Sequence, residues 1–143
     1  MSGYRYGGGH NPHDSRRYMD WLARAKTDID TMSLLIEHGG DPATAIFHGH
    51  QAMEKSFKGY LLFAARQHAD GHNLTWLCRQ ALKIDGAFAM FLPDCARMSR
   101  SYIETRYPTD LPLRIDVRQP DAVMSVAQKL YGHIISRVTP ELT

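Results

Sequence analysis

The fold is decided by one uninterrupted stretch, ATAIFHGHQAMEKSFKGYLLFAA, at residues 43–65. At about 100° per residue, its side chains fall on an apolar, a small-residue and a polar side of a helix. Small residues at this spacing let a neighbouring backbone approach closely. We therefore predict the central helix of an all-α domain. The apolar side is Ile46, Met53, Phe57, Tyr60, Leu61 and Ala64; the small side is Ala45, Gly49, Ala52, Ser56 and Gly59; the polar side is Gln51, Glu54, Lys55 and Lys58, flanked by Phe47 and Leu62.

An amphipathic helix precedes the central one. We expect it to begin at Asp14 or Ser15, because either side chain can accept hydrogen bonds from the first turn. Two glycines at residues 39–40 end it. Asp28 is expected on its exposed face, and the alternatives are that it pairs with a lysine of the central helix or assists metal binding to a nucleotide. Its apolar side is Tyr18, Trp21, Leu22, Ala25, Ile29, Met32, Leu35 and Ile36.

The central helix has a clear start signal. Asp41 can cap it, and Pro42 suits the first helical position. We expect the helix to continue to about His68, since Asp-Gly at residues 70–71 breaks it. His50 lies at the border of the apolar side and is expected to be a core residue.

Further helices follow in the second half of the chain. Residues 72–74 (His-Asn-Leu) open a short helix, and residues 87–92 form an apolar turn. Pro93 begins or kinks the next helix, which ends near residue 106. Residues 109–119 are expected to form an extended loop, and Pro120 starts the last helix. Four or five helices with short connections predict an up-and-down bundle.

Composition indicates an ordinary globular protein. The 143 residues are 43% hydrophobic and 22% charged, with a net charge of +2 that is too small to indicate nucleic-acid binding by itself. We expect residues 1–13 to be flexible and residues 14–143 to form one domain. No membrane span, signal peptide, metal-binding spacing or disulfide framework is visible, and Cys78 and Cys95 are expected to be buried thiols in a reducing cytoplasm.

Three motifs together resemble the HEPN domain family. They are QAMEKSFK at residues 51–58, HNL at residues 72–74, and Tyr102 followed by Arg106, Tyr107 and Pro108. The resemblance covers roughly residues 15–138. It implies a helical bundle that is usually dimeric and that occurs in nucleotide-linked and RNA-processing systems. In prokaryotes many such domains are encoded beside a minimal nucleotidyltransferase, often as toxin–antitoxin pairs.

The signature of ribonucleolytic HEPN proteins is missing from the last helix. That signature is an arginine and, after four to six residues, a histidine, but His133 has no arginine at this spacing before it. Arg66 with His72 and Arg5 with His10 have the spacing in the wrong places. The resemblance therefore favours the branch that binds nucleotides without cleaving RNA.

The resemblance and the side-chain chemistry indicate an anion site. Lysine ammonium groups can bind phosphate oxygens, and a side-chain amide can form hydrogen bonds with a base. The guanidinium group of an arginine can bind a phosphate through two parallel hydrogen bonds. The alternatives are a solvated Glu54–Lys58 pair, an arginine that only caps its own helix, and a histidine that caps or packs. The candidate nucleotide-binding residues are Gln51, Lys55, Lys58, His72, Arg106 and Tyr107.

The sequence thus predicts a nucleotide-binding or regulatory module, a homodimer that acts with a separately encoded minimal nucleotidyltransferase. The expected ligand is ATP or GTP with Mg²⁺, or RNA. We expect no catalytic residue, resident metal, membrane or DNA partner. Two alternatives remain: an RNA-cleaving toxin with an arginine and a histidine at the scissile phosphate, and a purely structural dimer that binds a protein.

Overall fold

The chain folds into an all-α bundle. The computed structural model describes residues 14–98 and 119–142, which contain five α-helices and no strand. Predictions for residues 1–13, for 99–118 and hence for most of the 109–119 loop lie outside this part of the chain. The helices are α1 (Tyr18–Glu37), α2 (Pro42–Ala65), α3 (Leu74–Leu82), α4 (described over residues 92–98) and α5 (Pro120–Leu142), and a 3₁₀-helix (Gly86–Phe91) precedes α4.

Helix α2 is central, as predicted, and packs against α1, α3 and α5. Its small-residue side is what allows the close approach. A Cβ atom at Gly59 would lie 2.8 Å from Leu22 Cδ2 and 3.2 Å from the backbone oxygen of Tyr18, both on α1. A Cβ atom at Gly49 would lie 2.5 Å from a methyl group of Val123 on α5. Gly59 and Gly49 therefore allow α2 to pack closely against α1 and α5, respectively.

The core contains most of the predicted apolar residues of α2, and apolar residues of α5 complete it. Phe57, Met53 and Leu61 are fully buried, and Leu130 and Ile134 meet them from α5. Both cysteines are buried free thiols, as expected. Among the described residues, no helix is long and apolar enough to cross a membrane.

Helix starts agree with the predictions for α2 and α3 but not for α1. The Asp41 carboxylate accepts from Thr44 N–H at 2.9 Å, and Asn73 Oδ1 caps α3 at Trp76 N–H, also at 2.9 Å. Helix α1 begins at Tyr18, later than predicted. Ser15 donates instead to the Asp20 carboxylate at 2.6 Å.

Two predictions for the end of α2 are wrong. The helix stops at Ala65 and does not reach residue 68, because Arg66 adopts a left-handed conformation with φ of 52°. The N–H groups of Arg66 and Gln67 then bond back to carbonyl oxygens of the last turn, which ends the helix. Ala64 is exposed and does not join the core, because it lies in this last turn.

Candidate functional site

The polar side of α2 is organised by two carboxylates, each of which binds one lysine and one histidine. Asp28 of α1 accepts from Lys55 at 2.7 Å and contacts His48 Nδ1 at 2.9 Å. Glu54 of α2 accepts from Lys58 at 2.9 Å and from His72 at 2.8 Å. Both lysines proposed as phosphate contacts therefore already have an anionic partner inside the protein.

The first of these clusters joins α1 to α2. Asp28 is buried, with 7% of its surface exposed, so the expected exposed position is wrong. The alternative, pairing with a lysine of the central helix, is confirmed by its contact with Lys55. A carboxylate taken out of water needs compensating partners. Lys55 and His48, which lie about two turns apart on α2, supply them. Asp28 can pair with both because its two oxygens are divided between them.

The second cluster is more deeply buried. Glu54 and Lys58 are only 4% and 7% exposed, so the alternative of a solvated surface pair is wrong. Burial raises the pKa of Glu54, but the hydrogen bond from His72 and the charge of Lys58 outweigh it, so that the net shift is downward. Glu54 is therefore ionised at neutral pH. Its second oxygen, Oε1, is buried and has no hydrogen-bond partner among the described residues.

His72 extends the second cluster to the surface. Because Glu54 is ionised and can only accept, the hydrogen between them belongs to His72 Nδ1. The hydrogen bond to Glu54 raises the pKa of His72, and burial opposes this in part. The His72 side chain is 64% exposed. A buried carboxylate thus fixes one nitrogen of an exposed imidazole and leaves Nε2 directed away from it.

His72 lines an open cleft of about 670 Å³ where α2 turns into α3. Its wall also includes His68, Asp70 and Asn73, which come from the connecting loop, and Trp76 of α3. Trp76 is 41% exposed. The cleft therefore combines an indole surface, an oriented histidine and one carboxylate beside the N-terminal end of α3.

A single carbonyl oxygen ties this loop to α1. The backbone oxygen of Ser15 accepts from Trp21 Nε1 at 2.9 Å and contacts His68 Nε2 at 3.1 Å. The ammonium group of Lys58 lies 5.5 Å from the centroid of the Trp21 ring, within cation–π range. The segment before α1 thereby helps to hold the cleft wall in place.

A second, smaller pocket of about 250 Å³ is lined in part by Trp21. Two cationic side chains, Arg24 and Lys55, line it together with Asp14 and Asp20. The Asp20 carboxylate is engaged by Ser15 and Arg17. The pocket is therefore of mixed charge.

The predicted site residues are only partly brought together. His72 lines the larger cleft and Lys55 the smaller pocket, whereas Lys58 lines neither and has its ammonium group near the Trp21 ring. Gln51 is half-buried, one helical turn before Lys55. Arg106 and Tyr107 lie outside the described residues.

Sequence reasoning missed Trp76 as a site residue. A usable signal was present, because Trp76 lies off the inner side of α3, which is formed by Leu74, Leu77, Cys78 and Ala81. An aromatic residue on the outer side of an amphipathic helix keeps part of its ring exposed, where a ligand can contact it. Among the described residues, no cluster of histidine, cysteine and carboxylate side chains could hold a metal ion.

Comparison with protein families decides the classification of the bundle. The model of the HEPN domain matches residues 18–135 of the chain. The chain belongs to the HEPN family. This confirms the resemblance inferred from QAMEKSFK and the motifs that follow it.

The fold of this HEPN domain is similar to that of a solved relative. The crystal structure of ST0689, an archaeal HEPN homologue, superposes with a TM-score of 0.66 over 85% of this chain and 98% of that one, at 22% sequence identity. At this identity, the likeness concerns the fold alone. No functionally curated protein was found to match the chain.

Chemically, the cleft of this HEPN domain suits a small, partly anionic, aromatic ligand. An exposed indole offers a stacking surface. A histidine of raised pKa supplies partial positive charge and a hydrogen-bond donor. A carboxylate can accept from hydroxyl or amino groups. These three groups lie within one cavity, whereas both lysines of the α2 polar side are held by carboxylates outside it.

Proposed function

We propose that this HEPN domain is a nucleotide-binding module and that the cleft between α2 and α3 receives the nucleotide. The observation that carries the proposal is the presence of His72 and Trp76 on the wall of one cavity. Its volume of about 670 Å³ lies within the range of small-molecule sites. Each part of a nucleotide has a chemically suitable partner there.

The base stacks on Trp76, the ribose hydroxyls donate to Asp70, and a phosphate lies at His72 near the start of α3. A helix N-terminus favours an anion at this end, and the partial charge of His72 adds to that preference. Glu54 and Lys58 act indirectly, because they fix the orientation of the imidazole. In this arrangement the lysines position other residues and do not themselves contact phosphate.

Calorimetric titration with ATP and GTP, with and without Mg²⁺, tests the proposal. Trp76→Ala should weaken binding by roughly 5- to 100-fold, the range for loss of one base–aromatic stack. Met90→Ala is the matched control, since Met90 is also a large exposed apolar side chain but does not line the cleft. Absence of heat with every nucleotide, or equal losses in both variants, would overturn the proposal.

We further propose that the module is a homodimer that works with a separately encoded minimal nucleotidyltransferase. The family resemblance supports this, and five large apolar side chains are exposed on the described part of a single chain. Light scattering after gel filtration tests the homodimer, and co-purification with the neighbouring gene product tests the partner. A monomer that captures no nucleotidyltransferase would refute both statements.

A further inference from the structure

We propose that His72 is a phosphoryl-acceptor residue, modified at Nε2 by a phosphoramidate-class donor such as phosphoramidate itself or a phosphohistidine. The geometry points to this nitrogen because Glu54 Oε2 fixes Nδ1 at 2.8 Å while the ring stays 64% exposed on the wall of an open cleft. The inference goes beyond nucleotide binding and does not depend on it.

Two other histidines show what is special about His72. His48 has the same kind of carboxylate anchor, with Nδ1 2.9 Å from Asp28, but its side chain is only 26% exposed and its ring packs edge-on against Phe47. His38 is 74% exposed, but its nearest carboxylate, on the adjacent Glu37, is 3.8 Å away and equally exposed. Among the described histidines, His72 combines a buried carboxylate anchor with an open second nitrogen.

The chemistry of the step balances without further groups. Phosphoramidate reacts as its zwitterion, with the nitrogen already protonated. The lone pair of Nε2 forms the N–P bond while the P–N bond breaks, and the electron pair of that bond leaves with the nitrogen as neutral ammonia. The imidazole ring then carries a positive charge, which it shares with Glu54 through the Nδ1 hydrogen. A charge-assisted hydrogen bond of this kind strengthens as the ring becomes cationic, so it stabilises the transition state more than the reactant.

The surroundings can accept the new phosphoryl group. Helix α3 begins at Leu74, two residues after His72, and the positive end of its dipole lies at the same cleft. Lys58, which shares the Glu54 carboxylate with His72, adds a positive charge. Asp70, the acidic side chain of the cleft wall, carries a negative charge that opposes the attraction of the phosphoryl group by the α3 dipole and Lys58.

The test is incubation of the full chain with phosphoramidate at pH 8, followed by mass spectrometry at neutral pH to map every modified histidine. Phosphorylation of His72 should proceed roughly tenfold faster than that of His38 in the same molecule, the factor that corresponds to one charge-assisted hydrogen bond to the developing cation. His72→Ala should abolish the fast modification and leave that of His38 unchanged.

Because both sites are followed in one folded protein, the comparison does not rely on a variant that could unfold. Equal rates at His72 and His38 would show that exposure alone governs reactivity and would overturn the inference. Preferred modification of His48 would do the same. Failure to bind ATP or GTP would refute the proposed function but would leave this result unaffected.

Discussion

Lys58 Nζ donates to Glu54 Oε2 at 2.9 Å across one turn of α2, and both side chains are buried. The i,i+4 spacing of the two residues is that of an ordinary surface pair. Burial makes this pair important for stability, because neither charge is hydrated and each is compensated in part by the other.

Lys58→Ala should destabilise the domain by about 1.5–3 kcal/mol, the range for a lost hydrogen bond to a charged group, because the buried Glu54 carboxylate keeps His72 as its remaining partner. Urea denaturation monitored by circular dichroism measures the change. Lys26→Ala is the matched control, because Lys26 forms an i,i+4 pair with Asp30 in full solvent. If both variants lost equally little stability, the buried pair would not contribute as proposed.

Gly49→Ala should cost about 1–3 kcal/mol, because the added methyl group would overlap Val123 and press on Met32. Gly132→Ala provides the control for helix propensity. Gly132 lies inside α5 and has nothing within 4 Å of its Cβ position, so the same substitution should stabilise by roughly 0.5–1 kcal/mol. The melting temperature should therefore fall for Gly49→Ala and rise for Gly132→Ala. A change in the same direction for both variants would contradict the packing of α2 against α5.

Acid should destabilise the domain through His50. Burial lowers the pKa of His50 to about 4, from an ordinary value of 6.5, and the charge of Glu54 offsets this only in part. The unfolded chain then binds the proton more readily than the folded one, so stability is lost as pH falls from 6.5 towards 4. The loss should approach about 3 kcal/mol.

Urea midpoints measured at intervals across this pH range check the prediction for His50. His50→Gln should flatten the dependence, since the substituted side chain does not titrate there. An unchanged pH dependence in this variant would assign the proton uptake to another group.

His72 should have the opposite effect at higher pH. Its hydrogen bond to Glu54 raises the pKa of His72, so the folded state holds the proton more tightly than the unfolded chain. The resulting stability is complete below the unfolded pKa and is lost as pH rises through the folded pKa. Two-dimensional NMR of the imidazole signals should show the raised pKa, and Glu54→Gln should lower it. A pKa of His72 at or below the ordinary histidine value of 6.5 would refute the interaction.

Much of the fold could be read from local patterns. Asp41 followed by Pro42 located the start of α2, Asn73 that of α3 and Pro120 that of α5, because capping and proline chemistry act over a few residues. The small-residue side of α2 likewise predicted close helix contacts. The end of α2 was missed because a left-handed arginine at residue 66 has no clear sequence signal.

The contacts within the candidate site were harder to predict from the sequence than the helices were. His72 was recognised from its motif, but its anchor depends on a loop that brings it to Glu54 from 18 residues away. For Asp28, pairing with a lysine of α2 was one alternative, but the exposed face was preferred because nothing in α1 alone shows that Lys55 and His48 will cover it. Such pairings join residues far apart in sequence, and periodicity within one helix carries no information about them.

Periodicity, caps and motif spacing are local properties of the chain, and they were enough to predict most helix positions, the central place of α2 and the HEPN family. The packed bundle was needed to show that Lys55 and Lys58 bind carboxylates and that His72 opens onto a cleft with Trp76. Burial explains the difference. Whether a charged side chain meets water, a ligand or another side chain depends on which helices cover it, and that is settled only when the bundle packs.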